Sequence, residues 1–249
     1  MSTLSDPTVP HQLRALGLLL DYPGAALQTH LAELRAVLAA LEPPRPGGHD
    51  SLQRLIDHLA AGDLLDLQAE YVDTFDRGRS TSLNLFEHVH GDSRDRGQAM
   101  VDLLAQYQQA GLQLHARQLP DYLPVYLEYC SVLDPGAARE ALEEVALLVA
   151  HLTAALERRE SPWAAATAAV CRLAGLSDWR AHLAQQAAEQ SAAQHAAATP
   201  ADWTAAALDA AWAEEPVNFL GACNPQTAPV GVQPVQFVRR ATPSPSAGV

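Results

Sequence analysis

Four side chains that could bind a metal ion or transfer protons lie close together in the sequence, at Glu87, His88, His90 and Asp92. Imidazole and carboxylate groups are common choices for both tasks. A catalytic zinc site needs three protein ligands in fixed geometry, however, and the chain has neither an H-E-x-x-H motif nor a second cluster of histidine or cysteine. It also lacks a nucleophile elbow and a Rossmann fingerprint. We therefore predict that the protein is not an enzyme, with a metal-dependent phosphoesterase as the alternative.

The surrounding stretch, DRGRSTSLNLFEHVHGDSRDRG at residues 76–97, is dense in charge and shows no clear periodicity. Long irregular segments in compact domains are often functional. An anion could be bound through guanidinium forks and hydroxyls by the run Arg77, Gly78, Arg79, Ser80 and Thr81. Alternatively, the arginines could pair with acids of the same stretch. The arginines are Arg77, Arg79, Arg94 and Arg96, and the acids are Asp76, Asp92 and Asp95. The spacing does not match a P-loop.

An acidic ridge is predicted on the helix that precedes this stretch. Its carboxylates recur at steps of three or four residues, which places them along one helical face. They are Asp63, Asp66, Glu70 and Asp73. An acidic ridge beside an apolar one suits a basic amphipathic helix lying in a groove. The alternative is an ordinary amphipathic helix whose solvated face is acidic.

Three tyrosines form an aromatic stripe in the segment LPDYLPVYLEYC, because Tyr122, Tyr126 and Tyr129 follow one another at i, i+4 and i+7. Such stripes usually belong to the hydrophobic core. Tyrosine is also a good anchor for a bound peptide, since it combines a large ring with a polar tip. Both interpretations remain open from the sequence.

The charge balance indicates what kind of partner the protein binds. Its formal net charge is −13 and its pI is about 5.1. Phosphate binding needs a basic face, so nucleic acid is excluded as a partner and a basic partner is favoured. The three cysteines lie far apart, which is typical of a reducing compartment. Because neither a signal peptide nor a transmembrane segment is recognisable, we expect a cytoplasmic protein without direct membrane insertion.

Helix start and stop signals recur along the chain, and strand patterns are confined to the tail. The predicted fold class is all-α, with a single helical domain at 1–213 and a mostly irregular tail, rich in proline and glycine, at 214–249. The Ala- and Gln-rich region 178–213 predicts helices without a defined packing face. The aspartates predicted to cap helices are Asp63, Asp92, Asp121 and Asp134. The glycines predicted to end helices are Gly111 and Gly175.

The segment YVDTFDRGRSTSLNLFEHVHGDSRDRGQAMVDLLAQY, residues 71–107, resembles the signature block of the NarJ-type nitrate reductase assembly chaperones. These belong to the wider TorD-like family, whose members mature molybdenum enzymes. The segment LPDYLPVYLEY, residues 119–129, resembles the second block of that family. The flanking helices follow the family in length and order.

The resemblance implies a TorD-like helical bundle that acts as a cytoplasmic chaperone without turnover. Members of the family bind the catalytic subunit of respiratory nitrate reductase, through its leader-like N-terminal segment and at a second site. They prevent premature membrane docking, enable insertion of iron–sulfur clusters and the molybdenum cofactor, and leave the finished enzyme. No cofactor is held stably, bis-molybdopterin guanine dinucleotide is a candidate for transient contact, and molybdenum cofactor biosynthesis proteins are further expected partners. Beside the chaperone and the phosphoesterase, a third functional class is a helical scaffold that stays in the mature complex.

The residue patterns and the resemblance together define a hypothetical peptide-binding groove. Its apolar floor consists of Tyr71, Phe75, Phe86, Tyr122 and Tyr126. The carboxylates expected to contact the cations of the peptide are Asp73, Asp76 and Glu87. The residues expected to contact the client or the cofactor are Arg77, Arg79, His88, His90, Arg94 and Arg96.

Overall fold

The structure is a computed structural model. It describes residues 8–41, 51–89, 95–114 and 118–197. The chain divides into two compact units, Met1–Ala193 and Gln194–Val249, and every side chain discussed below belongs to the first unit. The predicted boundary at residue 213 and the tail 214–249 lie outside the described ranges and stay predictions.

The described ranges are helical, which confirms the all-α prediction. The first five helices are α1 (Val9–Leu20), α2 (Ala25–Leu38), α3 (Leu52–Ala61), α4 (Leu64–Phe75) and α5 (Leu85–Val89). Within these ranges, no helix is both long enough and apolar enough to cross a bilayer.

The second half of the bundle contains the longest helix. The remaining helices are α6 (Asp95–Gln109), α7 (Leu123–Val132), α8 (Pro135–Arg158), α9 (Ala164–Leu173) and α10 (Trp179–Ala197). Two short 3₁₀ turns, Ala39–Leu41 and Arg79–Thr81, complete the regular structure of the described ranges.

Local sequence chemistry explains several helix ends. The Asp63 side chain accepts a hydrogen bond from the backbone N–H of Leu65 at 2.9 Å, so the predicted cap of α4 is confirmed. Asp134 caps α8 in the same way, ahead of a proline at the first helical position. Gly111 and Gly175 both adopt a φ of +80°, the left-handed conformation in which helices often end.

Two local predictions are wrong. Asp121 does not cap α7, because Tyr122 occupies the cap position and the Asp121 side chain is buried elsewhere. The stretch 76–97 is not irregular throughout, since it contains the turn Arg79–Thr81 and helix α5. A helix of five residues is too short to show periodicity, and backbone contacts with a distant segment define its start. The predicted cap at Asp92 lies outside the described residues.

Helix α9 lies at the centre of the bundle and is buried on all sides. Every residue in it except Arg172 is buried, and five of its ten residues are alanine. Small side chains allow the neighbouring helices α1, α3 and α8 to approach it closely, and a helix that is apolar all round belongs inside a core. Just before it, Trp163 is completely buried and donates its Nε1–H to the carbonyl oxygen of Leu19 at 3.1 Å.

Close packing of α1 against α7 depends on a glycine. A Cβ atom at Gly17 would lie 3.2 Å from the carbonyl oxygen of Pro124 and 3.8 Å from Cβ of Leu127. A larger side chain would therefore have to push the two helices apart.

We predict that Gly17→Leu lowers the free energy of unfolding by about 1–3 kcal/mol, because it overpacks this contact. Urea denaturation followed by circular dichroism measures the change. Gly97→Leu in α6 is the matched control, since a Cβ there meets nothing within 4 Å and loss of a helical glycine is favourable. Equal effects of both substitutions would contradict the close-packing argument.

Candidate functional site

The two segments that carry the family resemblance lie side by side. The backbone N–H of Leu85 donates to the carbonyl oxygen of Asp121 at 2.9 Å, and the N–H of Leu123 donates to the carbonyl oxygen of Leu83 at 2.8 Å. These hydrogen bonds flank an antiparallel bridge between the two segments. Residues far apart in sequence are thus joined at the start of α5 and α7.

A group of three charged side chains, here called the Asp121 cluster, forms at this junction from the buried Asp121 and the half-buried Arg96 and Glu87. The Asp121 side chain is fully buried, and its Oδ2 accepts hydrogen bonds from the Phe86 N–H at 3.1 Å and from Arg96 Nη2 at 3.5 Å. Arg96 Nη2 also donates to Glu87 Oε1 at 3.2 Å. Burial raises the pKa of Asp121. Of the two alternatives for the arginines, Arg96 therefore fits pairing with carboxylates. Its partners are Asp121 and Glu87 and not the acids expected from the sequence.

Glu87 and His88 both make local hydrogen bonds. Burial opposes ionisation of Glu87, but hydrogen bonds from Ser82 and Asn84 together with the charge of Arg96 outweigh it, so the pKa of Glu87 is lowered. The Nε2 atom of His88 lies 2.8 Å from the carbonyl oxygen of Ser82, to which its N–H donates. Both side chains are thus held by hydrogen bonds to residues of the same stretch, 76–97. His90, Asp92 and Arg94 lie outside the described residues.

A chain of hydroxyl groups joins α1, α4 and α7. The Tyr122 hydroxyl donates to Asp21 Oδ1 at 3.0 Å, and the hydroxyls of Tyr71 and Tyr122 lie 2.7 Å apart. The Tyr71 oxygen also lies 2.8 Å from the carbonyl oxygen of Leu20. Burial raises the pKa of both tyrosines, so both stay protonated at neutral pH. Sequence reasoning missed Asp21, which belongs only to a helix-breaking D-Y-P-G turn.

Most of the predicted groove floor belongs to the core. Tyr71 and Phe75 are each 4% exposed, and Tyr126 is 5% exposed. The Tyr126 hydroxyl donates to the carbonyl oxygen of Ala141 at 2.7 Å, while Phe86 and Tyr122 are half-buried. This burial favours the core alternative for the tyrosine stripe, and a peptide would reach these rings only if the helices moved apart. Contact of the rings with a peptide stays a prediction.

The predicted carboxylates on α4 and just after it are accessible. Asp73 accepts a hydrogen bond from Arg77 Nη1 at 3.0 Å, and its carbonyl oxygen accepts one from Arg159 Nη2 at 2.9 Å. Asp66 and Asp76 are exposed and make no ion pair with any described residue. Arg79 is exposed as well.

These carboxylates define what we call the α4 acidic surface. It comprises Asp63, Asp66, Asp73 and Asp76, with the apolar side chain of Leu65 among them. Leu65 is 75% exposed. A negatively charged helix face with an exposed leucine can attract a positively charged, amphipathic segment.

We predict that Tyr122→Phe lowers the free energy of unfolding by about 1–2 kcal/mol, since it leaves Asp21 and Tyr71 without their shared partner. Urea denaturation at neutral pH provides the measurement. Tyr22→Phe is the control, because Tyr22 is 50% exposed and its hydroxyl is not part of the chain. If both variants change stability by less than about 0.5 kcal/mol, the hydroxyl chain does not hold the helices together.

We predict a pH-dependent stability contribution from Glu87. Its lowered pKa means that the contribution is present above the unfolded-state pKa of a glutamate, about 4.3, and is lost as pH falls through the folded-state value. The free energy of unfolding of the wild type should therefore exceed that of Glu87→Gln by about 1 kcal/mol at pH 6, and this difference should vanish in acid. Denaturation at several pH values tests this, with the exposed Glu140→Gln as control. A difference independent of pH would contradict it.

Comparison with known proteins assigns the chain to a family. The family model described as nitrate reductase delta subunit matches residues 25–169. The chain is 46% identical over 203 residues to the nitrate reductase molybdenum cofactor assembly chaperone NarJ of Escherichia coli, covering 81% of this chain and 82% of that protein. It is 45% identical over 208 residues to the probable nitrate reductase molybdenum cofactor assembly chaperone NarW of the same organism, covering 84% and 83% respectively.

A solved structure of a candidate redox enzyme maturation protein from Archaeoglobus fulgidus is 20% identical, with a TM-score of 0.48, and covers 66% of this chain and 91% of that one. The family membership rests on the sequence matches, which extend over most of both chains at high identity. The relatives are named as assembly chaperones and not as enzymes. Together with the match over residues 25–169, they show that the chain belongs to the nitrate reductase delta subunit family.

Proposed function

We propose that the protein is an assembly chaperone for a respiratory nitrate reductase and enables insertion of molybdenum cofactor and iron–sulfur clusters into the catalytic subunit. The observation that carries this proposal is the 46% identity to an assembly chaperone over most of both chains. In this role the protein has no turnover of its own. It acts in the cytoplasm, before the catalytic subunit docks at the membrane, and leaves the finished enzyme.

The proposed client contact is a leader-like N-terminal segment of the catalytic subunit, with a second contact elsewhere on that subunit. The α4 acidic surface supports the first contact, because exposed carboxylates around Leu65 complement a basic amphipathic segment. The net charge of −13 adds a long-range attraction for the same partner. Since Tyr71 and Phe75 are buried, we place the first encounter on the exposed carboxylates and not on the aromatic floor.

We also propose a transient contact with bis-molybdopterin guanine dinucleotide, which is the cargo of this process. Phosphate groups would be recognised by guanidinium groups of the stretch 76–97. Two of these already hold carboxylates, because Arg77 pairs with Asp73 and Arg96 belongs to the Asp121 cluster. Phosphate binding at either of these two side chains would therefore compete with the carboxylates that they hold.

We predict that the double variant Asp73→Ala, Asp76→Ala binds a synthetic peptide of the catalytic subunit's N-terminus about five- to tenfold more weakly than wild type, because two exposed attractions are lost. Calorimetric titration at two salt concentrations measures the affinities. Wild-type binding should weaken with salt, since exposed charges are screened, and the variant should respond less.

The control variant Glu33→Ala, Glu140→Ala removes the same formal charge from exposed positions on α2 and α8. It should bind the peptide with nearly wild-type affinity. If both double variants lost the same peptide affinity, the loss would be explained by net charge and not by the α4 acidic surface. Absence of saturable binding to wild type would overturn the peptide part of the proposal.

A further inference from the structure

A pocket of about 300 Å³ lies beside the α4 acidic surface, where α3, α4 and the turn between α8 and α9 meet. Its lining residues are Arg54, His58, Glu70, Glu160, Ser161 and Pro162. Of these, Glu70 also belongs to the acidic ridge predicted from the sequence. The roles described above do not involve this pocket.

The backbone at Glu160 adopts a strained conformation at the pocket. Its φ is +55°, in the left-handed region that costs a residue with a side chain about 1–2 kcal/mol. The position terminates α8, because the N–H of Glu160 donates to the carbonyl oxygen of Glu157 at 2.9 Å and the N–H of Ser161 donates to that of Leu156 at 3.0 Å. Glycine is the usual residue there. A carboxylate thus lines a pocket at a position where glycine would be more stable, and strain of this kind is often found at functional sites.

The next residue carries an unsatisfied polar group. Ser161 is only 9% exposed, and its hydroxyl has no hydrogen-bond partner within the part of the chain that the structure describes. Leaving a buried hydroxyl without a partner costs about 1–3 kcal/mol. A ligand that donates a hydrogen bond to Ser161 Oγ would remove this cost.

The charges of the pocket favour a cation. It contains two carboxylates, Glu70 and Glu160, against the single guanidinium of Arg54. His58 Nε2 lies 2.8 Å from Glu70 Oε2, within hydrogen-bonding distance of that carboxylate. The C-terminal end of α8, a helix of 24 residues, adds the negative end of its dipole.

One wall of the pocket is suited to a flat cationic group. Pro162 and His58 line it, and the imidazole of His58 lies nearly perpendicular to the Trp163 ring, with ring centroids 5.9 Å apart. Guanidinium groups stack on aromatic faces such as imidazole while their N–H groups reach carboxylates.

We propose that this pocket binds one cationic side chain, a guanidinium or an ammonium group, from the N-terminal segment of the client. The inference rests on the proposed function and deepens it. The α4 acidic surface attracts the basic segment, and the pocket holds a single cation between Glu70 and Glu160. That anchor sets the register of the segment along α4.

The first test uses methylguanidinium chloride as the probe in an NMR titration of the full chain, with sodium chloride of equal ionic strength as the reference. We expect saturable shifts at His58 and Ser161 that sodium chloride does not cause. Glu160→Gly should weaken probe binding about fivefold, comparable to the loss of one partly exposed ion pair. The same variant should raise the urea midpoint of unfolding, because glycine relieves the strained backbone.

Opposite effects on binding and stability exclude unfolding as the cause of weaker binding. Unchanged probe binding in Glu160→Gly, or shifts no larger than those from sodium chloride, would overturn the proposal. Saturable shifts from sodium acetate at the same residues would overturn it as well, since they would make the pocket an anion site.

The client peptide provides a second test. Each cation of the peptide is replaced by glutamine in turn. At one position the replacement should weaken binding to the wild type but not binding to Glu160→Gly, because the partner of that cation is already missing in the variant. A peptide that binds wild type and Glu160→Gly equally, yet binds Asp73→Ala, Asp76→Ala weakly, would overturn the pocket and leave the proposed function intact. Probe binding without any peptide binding would overturn the peptide as the source of the cation.

Discussion

The buried indole of Trp163, at the start of α9, contacts three other helices, α1, α3 and α4. Its N–H must find a partner once the ring leaves water, and the carbonyl oxygen of Leu19 in α1 provides it at 3.1 Å. The rings of Phe75 and Tyr71 from α4 lie 5.6 and 5.9 Å from the indole, and the imidazole of His58 from α3 lies nearly perpendicular to it at 5.9 Å. Because the apolar side of α4 is held against this ring just before α9, its acidic side faces solvent.

The Asp121 cluster imposes a second constraint on the bundle. A buried carboxylate is costly unless it is hydrogen-bonded and paired, and Asp121 meets both conditions through its Oδ2 atom only where the start of α5 and the guanidinium of Arg96 reach it. The polar residues that carry the family resemblance therefore hold two distant segments together in large part. Fewer of them are available to a partner than their number in the sequence indicates.

Exposed carboxylates lie where the client contacts are proposed. The α4 acidic surface and the pocket beside it are separate features of one helix, since Glu70 faces His58 while Asp66 and Asp76 face solvent. Diffuse attraction over the surface would bring a basic segment close, and a pocket with a strained Glu160 would select one of its cations. A chaperone that must release its client benefits from such a division, because exposed ion pairs are individually weak.

Local sequence signals were enough to predict the helical fold, the caps at Asp63 and Asp134, the helix ends at Gly111 and Gly175, and the acidic ridge of α4. These features depend on interactions within a few residues of the chain. Long-range packing, by contrast, makes Asp121 a buried ion-pair partner instead of a cap, and turns Tyr71 and Phe75 toward the core. The same packing brings Asp21 to Tyr122 and Glu160 to Glu70. Helical periodicity identifies an apolar face but not what covers it, because that depends on which distant helix supplies the partner atoms.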